Sequence, residues 1–305
     1  MDLDKLVTER INERTKDLDS LSTADLVRAM NDEDKLVALA VEQVLPQVAQ
    51  TVDIMVNAIR HGGRVFYIGA GTSGRLGVMD ASECPPTFSV SPDLIQGIIA
   101  GGFGALVRSS ESMEDSEAEG LKDLQEHGVN AGDVVIALAA SGRTPYAIAA
   151  LEGAKALGAR AVGLTCNPDS EMARVAEVTI APVVGPEAIS GSTRLKAGTA
   201  QKLVLNMLST ATMVRLGKTY GNLMVDVRPT NAKLVERARR IIMQATNSDY
   251  ETASRALDGS GNQVKVAVVM CLAGADAELA RAALDEAGGF VRQAVAMLQG
   301  KTNER

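Results

Sequence analysis

Five short apolar runs, each divided from the next by a stretch of helical length, constrain the fold of this 305-residue chain more than any other feature. They are Arg64-Val-Phe-Tyr-Ile-Gly69, Leu94 to Ala100, Asp133-Val-Val-Ile-Ala-Leu138, Ala161 to Thr165 and Val178 to Ala181. Short near-continuous apolar runs bounded by turn residues read as strands buried on both faces. Such strands alternating with helices predict an α/β fold, a five-stranded parallel sheet with helices on both faces. Helices are expected after Gly74 up to Pro85-Pro86, where the proline pair should stop the first of them. Others are expected over Gly104 to Glu126, Tyr146 to Leu157 and Gly198 to Leu216.

The flanking regions differ in style. Residues 1–33 are polar and read as an extended arm with short helices, one start signal being Ser22-Thr23-Ala24-Asp25. Such an arm is expected to fold on a partner subunit. Asp32 is a candidate cap for a helix reaching Ile59, broken near Pro46. Beyond Asn231 the segments 232–247, 249–257, 262–273, 276–286 and 290–299 all read as helical. The expected division is an arm over 1–54, a sheet domain over 55–230 and a small all-helical domain over 231–305.

Several function classes are excluded early. The net charge is −7, and aromatic residues make up 3% with no Trp. An acidic chain is a poor non-specific binder of nucleic acid or anionic membrane, and few aromatics leave little for base stacking. Cys84, Cys166 and Cys271 are scattered and odd in number, which argues for a reducing compartment. His61 and His127 lie outside any ligand-spaced motif, so no metal site is expected. A Ser-His-Asp hydrolase is disfavoured on the same two histidines. The start, MDLDKLVTERIN, does not read as a signal peptide, and no 18-residue apolar run predicts a membrane span. A cytoplasmic location is expected.

Three loops could carry chemistry. Gly69-Ala-Gly-Thr-Ser-Gly74 follows a strand and opens a helix, where free N–H groups and the helix dipole suit a phosphate. Thr72 and Ser73 add hydroxyls. The spacing is also G-x-G-x-x-G, so a dinucleotide loop or a plain glycine turn competes. The dinucleotide reading wants an acid at the end of the second strand, and Ile98-Ile-Ala-Gly-Gly102 has none. Ala140-Ser-Gly-Arg-Thr-Pro-Tyr146 ends the third strand with Ser141, Gly142, Arg143 and Thr144. Two such loops share one edge of the sheet, where open α/β sheets bind ligands. Without a Walker lysine they suggest a monophosphate held by hydroxyls and amides, although Ser141 or Thr144 could simply cap a helix. The third segment, Gly191 to Lys202, carries Ser192, Arg194, Lys196 and Lys202. It reads either as an anion-attracting stretch or as a solvated helix start.

The carboxylates come next. Glu83 lies in Asp80-Ala-Ser-Glu-Cys-Pro-Pro86, at the expected end of the helix after the first loop. Positions 107, 111, 114, 118 and 121 would share one helical face. Val107, Ala118 and Leu121 make it apolar, so Glu111 and Glu114 would interrupt a buried stripe and be partly desolvated. Asp115, Glu117 and Glu119 favour the opposing reading of a solvated acidic face.

Taken together, four segments resemble the bacterial N-acetylmuramic acid 6-phosphate etherases. They are Gly69-Ala-Gly-Thr-Ser-Gly-Arg-Leu-Gly77, Asp80 to Pro86, Ala140 to Pro145 and Gly191 to Asn206; Asn31-Asp-Glu-Asp34 and Gly221-Asn-Leu-Met-Val-Asp226 extend the match. The resemblance implies a flavodoxin-like sugar isomerase (SIS) domain, then a small helical domain similar to ubiquitin-associated domains, and a homodimer. It implies no metal or organic cofactor, and an amino-sugar phosphate as substrate. The implied reaction splits the D-lactyl ether of N-acetylmuramic acid 6-phosphate during cell-wall recycling. Glu83 is implied as the main acid/base and Glu114 as a second catalytic carboxyl. Thr72, Ser73, Ser141, Gly142, Arg143, Thr144, Ser192 and Lys202 are the substrate-binding candidates. One departure is Ala139, where sugar isomerase loops commonly carry Ser; the segment 191–202 is the candidate replacement donor. An aldose–ketose isomerase and a non-catalytic sugar-phosphate sensor are the competing functions on the same scaffold.

Overall fold

The computed structural model describes residues 7–108, 113–227, 229 and 231–303. By proximity these fall into two compact units, one holding residues up to Ser82 and Pro92–Ser209, the other Glu83–Ser91 and Thr210 onward. The first unit is built on five strands: β1 (Val65–Gly69), β2 (Ile95–Ile99), β3 (Val134–Leu138), β4 (Arg160–Leu164) and β5 (Val178–Ile180). They coincide with the five apolar runs of the sequence. All pair in parallel, in the order β2-β1-β3-β4-β5. Every residue of β1 and β3 is buried, which is why these strands read as unbroken apolar runs.

Helices cover both faces. The helix α3 (Gly71–Phe88) sets Gly77 against Tyr67 and Leu138 on one face. On the other, Phe66, Ile68, Val135 and Ala137 form one cluster with Leu124, Tyr146 and Leu151. These come from α5 (Glu117–Glu126) and α6 (Pro145–Ala156). At the opposite sheet end, buried Asp133 accepts hydrogen bonds from the N–H groups of Arg64 (2.8 Å) and Asn130 (3.0 Å), which fixes where β1 and β3 begin.

Three local expectations are corrected. The first long helix, α1 (Thr23–Glu42), starts at Ser22 and not at Asp32, because Ser22 Oγ accepts from Asp25 N–H; Asp32 is inside the helix, bridged to Lys35. The break before α2 (Leu45–Arg60) falls where Pro46 fits the first turn. The helix α3 runs through Pro85-Pro86. Both prolines occupy its final turn, and Ser89 ends it at φ +52 while its N–H still reaches Pro85 O. The stretch from Gly104 to Glu126 is not one helix but α4 (Gly104–Val107) and α5, which Ser116 caps afresh. Val107, Ala118 and Leu121 are exposed, so the apolar stripe is not buried, and Glu111 lies outside the described residues. Residues 7–20 bond to later segments of the same unit. Asn12 donates to Pro186 O, Thr15 to Ala188 O, and Arg14 pairs with Glu33.

The remaining helices of this unit are α7 (Glu171–Val175) and α8 (Lys196–Arg215), the latter continuing into the second unit. The second unit is otherwise five helices: α9 (Ala232–Thr246), α10 (Tyr250–Gly259), α11 (Val264–Ala273), α12 (Ala277–Glu286) and α13 (Val291–Asn303). Asn231, Asp249 and Asp276 cap three of them. The apolar α11 fills the centre, with Val268 and Ala267 fully buried beside Ile242 and Leu257. Lys265 is half-buried there and donates to Asp226 at 2.5 Å and to Gly217 O at 2.9 Å. Burial pulls the Lys265 pKa down, against the opposing pull of Asp226. Among the described residues, no helix is long and apolar enough to cross a membrane.

Candidate functional site

The strand order puts a reversal between β1 and β3. Strand β2 lies to one side of β1, while β4 and β5 extend beyond β3. The chain leaves the carboxyl ends of β1 and β3 in opposite directions there, and a crevice opens. Gly69 and Leu138 are register partners, so the loops that follow them emerge side by side. Between them lies a cavity of about 430 Å³, lined by Ala70 to Ser73, Leu138 to Ser141 and Thr144, with Glu9, Arg75, Glu114 and Thr193 around them.

The two loops present their hydroxyls for a reason that backbone bonding explains. Ser141 Oγ accepts from Arg143 N–H at 3.2 Å, which leaves its own hydrogen to donate outward. Thr144 precedes α6 in extended geometry, yet its side chain makes no capping bond, so the competing reading of an ordinary N-cap does not hold for Thr144. Ser73 Oγ donates to the buried Gln201 Oε1 at 2.9 Å. The cavity thus collects hydroxyls at the N-termini of α3 and α6, where two helix dipoles favour an anion.

Glu114 reaches this cavity by a route that helical periodicity does not describe. Its carbonyl accepts the N–H of Tyr146, in the first turn of α6, at 3.1 Å. That bond ties the 113–116 turn to the second loop. The carboxylate then lies over the first loop, with Oε1 2.7 Å from where a side chain on Gly71 would begin. Gly71 also has φ +53, so both backbone and space require glycine there.

Other predicted residues sit elsewhere. Gly142 has φ +68, and a side chain would strike Ser170 and Thr165; it shapes the loop instead of lining the cavity. Arg143 turns away, into a second cavity shared with Arg10 and Arg174. Ser192 is half-buried in a turn, its N–H on Ile189 O, and does not line the cavity. Lys202 is exposed on α8, where its charge acts on Asp80. Burial raises the Asp80 pKa, against hydrogen bonds from Asn206 and Ser209. Lys196 is no anion receptor: it is 1% exposed and its ammonium lies 2.6 Å from Glu33. The carboxylate of Glu187 accepts the N–H groups of Lys196 and Ala197, holding the start of α8. Glu83 is exposed on α3 and belongs to the second unit, whereas the cavity's lining residues all belong to the first. Among the described residues, no three His, Cys, Asp or Glu side chains group as a metal site.

The sequence matches the SIS domain family over residues 113–211. Over residues 47–155 it matches the N-terminal SIS domain of glucokinase regulatory protein. It is 58% identical over 271 residues to the N-acetylmuramic acid 6-phosphate etherase of Brucella anthropi, covering 89% of this chain and 88% of that relative. To the etherase of Klebsiella aerogenes it is 55% identical over 273 residues, covering 90% and 91%. The chain belongs to the N-acetylmuramic acid 6-phosphate etherases. A phosphoheptose isomerase from Francisella tularensis, 14% identical, matches 64% of this chain and 100% of its own at a TM-score of 0.50, which shows the shared fold.

Within this etherase family chain, Ala139 lines the cavity, and from the 191–202 segment Thr193 lines it as well. Sequence reasoning passed over Thr193, Arg75 and Glu9. Arg75 stands one turn after Thr72 on α3, a position that the first loop's geometry could have flagged. Glu9 comes from the arm, about sixty residues before the first loop, and no local pattern places it there.

Proposed function

We propose that this protein cleaves the D-lactyl ether of N-acetylmuramic acid 6-phosphate by elimination and water addition, in cell-wall recycling and amino-sugar catabolism. The products are D-lactate and N-acetylglucosamine 6-phosphate. The observation that carries this is the Glu114 carboxylate lining one cavity with the hydroxyls of Thr72, Ser73, Ser141 and Thr144. The hydroxyls and two helix N-termini suit the sugar's phosphate, and the carboxylate suits a proton acceptor beside it. In this reading residues 55–230 hold the sugar phosphate, flanked by the arm (1–54) and the helical domain (231–305).

The chemistry follows from the substrate. Opening the ring exposes an aldehyde at C1, which acidifies the C2 hydrogen. Glu114 removes that proton. The C3–oxygen bond breaks as the C2–C3 double bond forms, and Glu83 protonates the departing lactyl oxygen. Glu83, now a carboxylate, takes a proton from water as the hydroxyl adds to C3, and Glu114 returns its proton to C2. The sum is one water consumed and both carboxyls restored. Each proton transfer is worth roughly 10²–10⁴-fold. The exposed apolar side chains Val27 and Leu39 of α1 and Phe103 beside α4 support association into a homodimer. A cytoplasmic location is consistent with three free cysteines.

A coupled D-lactate assay on N-acetylmuramic acid 6-phosphate tests the reading. Glu83→Ala should retain phosphosugar binding and lose lactate release. Glu114→Gln should slow exchange of the C2 proton with solvent; unchanged exchange removes Glu114 from that step.

A further inference from the structure

The cavity holds three charged side chains among its lining residues, Glu9, Glu114 and Arg75. Hydroxyls and helix N-termini already suit the phosphate. The proposed substrate carries a second anion, the carboxylate of its lactyl group, and among the described residues Arg75 is the one cation lining the cavity. We propose that Arg75 binds the lactyl carboxylate and thereby selects the ether substrate over other sugar 6-phosphates. This rests on the etherase reading above.

The geometry of Arg75 fits the task. Its Nε donates to Leu106 O at 3.2 Å and its Nη2 to Ala105 O at 2.8 Å. Two carbonyls of α4 therefore fix the plane of the guanidinium before any ligand arrives. They use two of its five N–H donors and leave the Nη1 pair and one Nη2 hydrogen. Those remaining donors form the end-on fork that a carboxylate takes bidentately. Among the described residues no carboxylate pairs with Arg75. A half-buried guanidinium held this way loses little freedom when a ligand docks.

The chemistry gives the contact a second consequence. The lactyl carboxylate is one carbon away from the oxygen that leaves. Negative charge building on that oxygen is disfavoured by the neighbouring carboxylate. A guanidinium on the carboxylate offsets this without competing for the proton, because arginine stays protonated.

The test compares ligands with and without the carboxylate. N-acetylglucosamine 6-phosphate has the phosphate and lacks the lactyl group. With Arg75→Met the KM for the ether substrate should rise about 10–100-fold, the range for a lost hydrogen bond to a charged group. The inhibition constant of N-acetylglucosamine 6-phosphate should stay within about twofold. Arg75→Lys, which keeps charge and loses the fork, should fall between. The wild-type enzyme should prefer the free acid over the lactyl amide of the substrate by at least about tenfold, a measurement that needs no variant to fold. Parallel weakening of both ligands assigns Arg75 to the phosphate and overturns the proposal, as does an unchanged KM or equal use of acid and amide. Absence of D-lactate release by the wild-type enzyme would instead refute the etherase reading itself.

Discussion

Glu33→Gln is expected to destabilise the fold by about 3–5 kcal/mol, the cost of leaving a buried charge without its counter-ion. Glu33 Oε2 lies 2.6 Å from Lys196 Nζ, with the two side chains 3% and 1% exposed. Among the described residues Glu33 is the carboxylate in ion-pair contact with the Lys196 ammonium, while Glu187 acts on it only through charge at longer range, so a neutral amide leaves the ammonium without its direct counter-ion. Lys196→Met should cost less, because Glu33 keeps Arg14 at 2.7 Å and the side chain of Asn12. A Glu33→Leu/Lys196→Met pair, which removes both charges, should recover much of the loss. Burial pushes the Glu33 pKa up, but hydrogen bonds from Lys196, Asn12 and Arg14 outweigh it and hold it below the ordinary value of 4.5. The folded pKa is therefore the lower one. The stabilisation is complete above pH 4.5 and fades as pH falls through the folded value, so wild type and Glu33→Gln should converge in acid. Urea unfolding followed by circular dichroism reads the difference. A Tm drop of roughly 6–20 °C corresponds to it, at about 2–4 °C per kcal/mol for a domain of this size. A loss under about 1 kcal/mol for Glu33→Gln, or a larger one for Lys196→Met, would refute the argument from burial.

Three further outcomes are expected. Gly71→Ala adds a side chain at φ +53 and 2.7 Å from Glu114 Oε1; stability should fall by about 1–2 kcal/mol, and kcat by about 10²-fold as the carboxylate is displaced. Steady-state kinetics beside a melting curve separates the two effects. Gln201→Met removes the acceptor at 2.9 Å that takes the one hydroxyl hydrogen of Ser73, which frees that hydrogen for the phosphate, so KM should fall with kcat little changed; an unaltered KM would mean that Ser73 does not reach the phosphate. Asp133→Ala leaves the N–H groups of Arg64 and Asn130 without their acceptor. Denaturant unfolding should show a loss of about 2–4 kcal/mol, while activity per folded molecule is unchanged.

The sequence alone determined the five strands, their parallel pairing and the two loops rich in glycine and hydroxyls that follow β1 and β3. Each is local: a run such as Val134–Leu138 is apolar throughout because both faces are covered, and Gly71 and Thr144 mark loops by residue type. The five helices beyond Asn231 were legible for the same reason, since Asn231, Asp249 and Asp276 are caps bonded within three residues. Periodicity failed where a distant partner decided the outcome. The apparent helix over 104–126 breaks, and the bond from Tyr146 N–H to the Glu114 carbonyl places that carboxyl over the first loop. Lys196 read as an open positive charge until the fold laid Glu33, 163 residues away, against it. Glu9 joined the cavity through packing that no spacing rule contains. Hydrogen bonds between neighbours leave a pattern in sequence, whereas charge pairing and cavity lining depend on which segments meet, and only tertiary structure decides that.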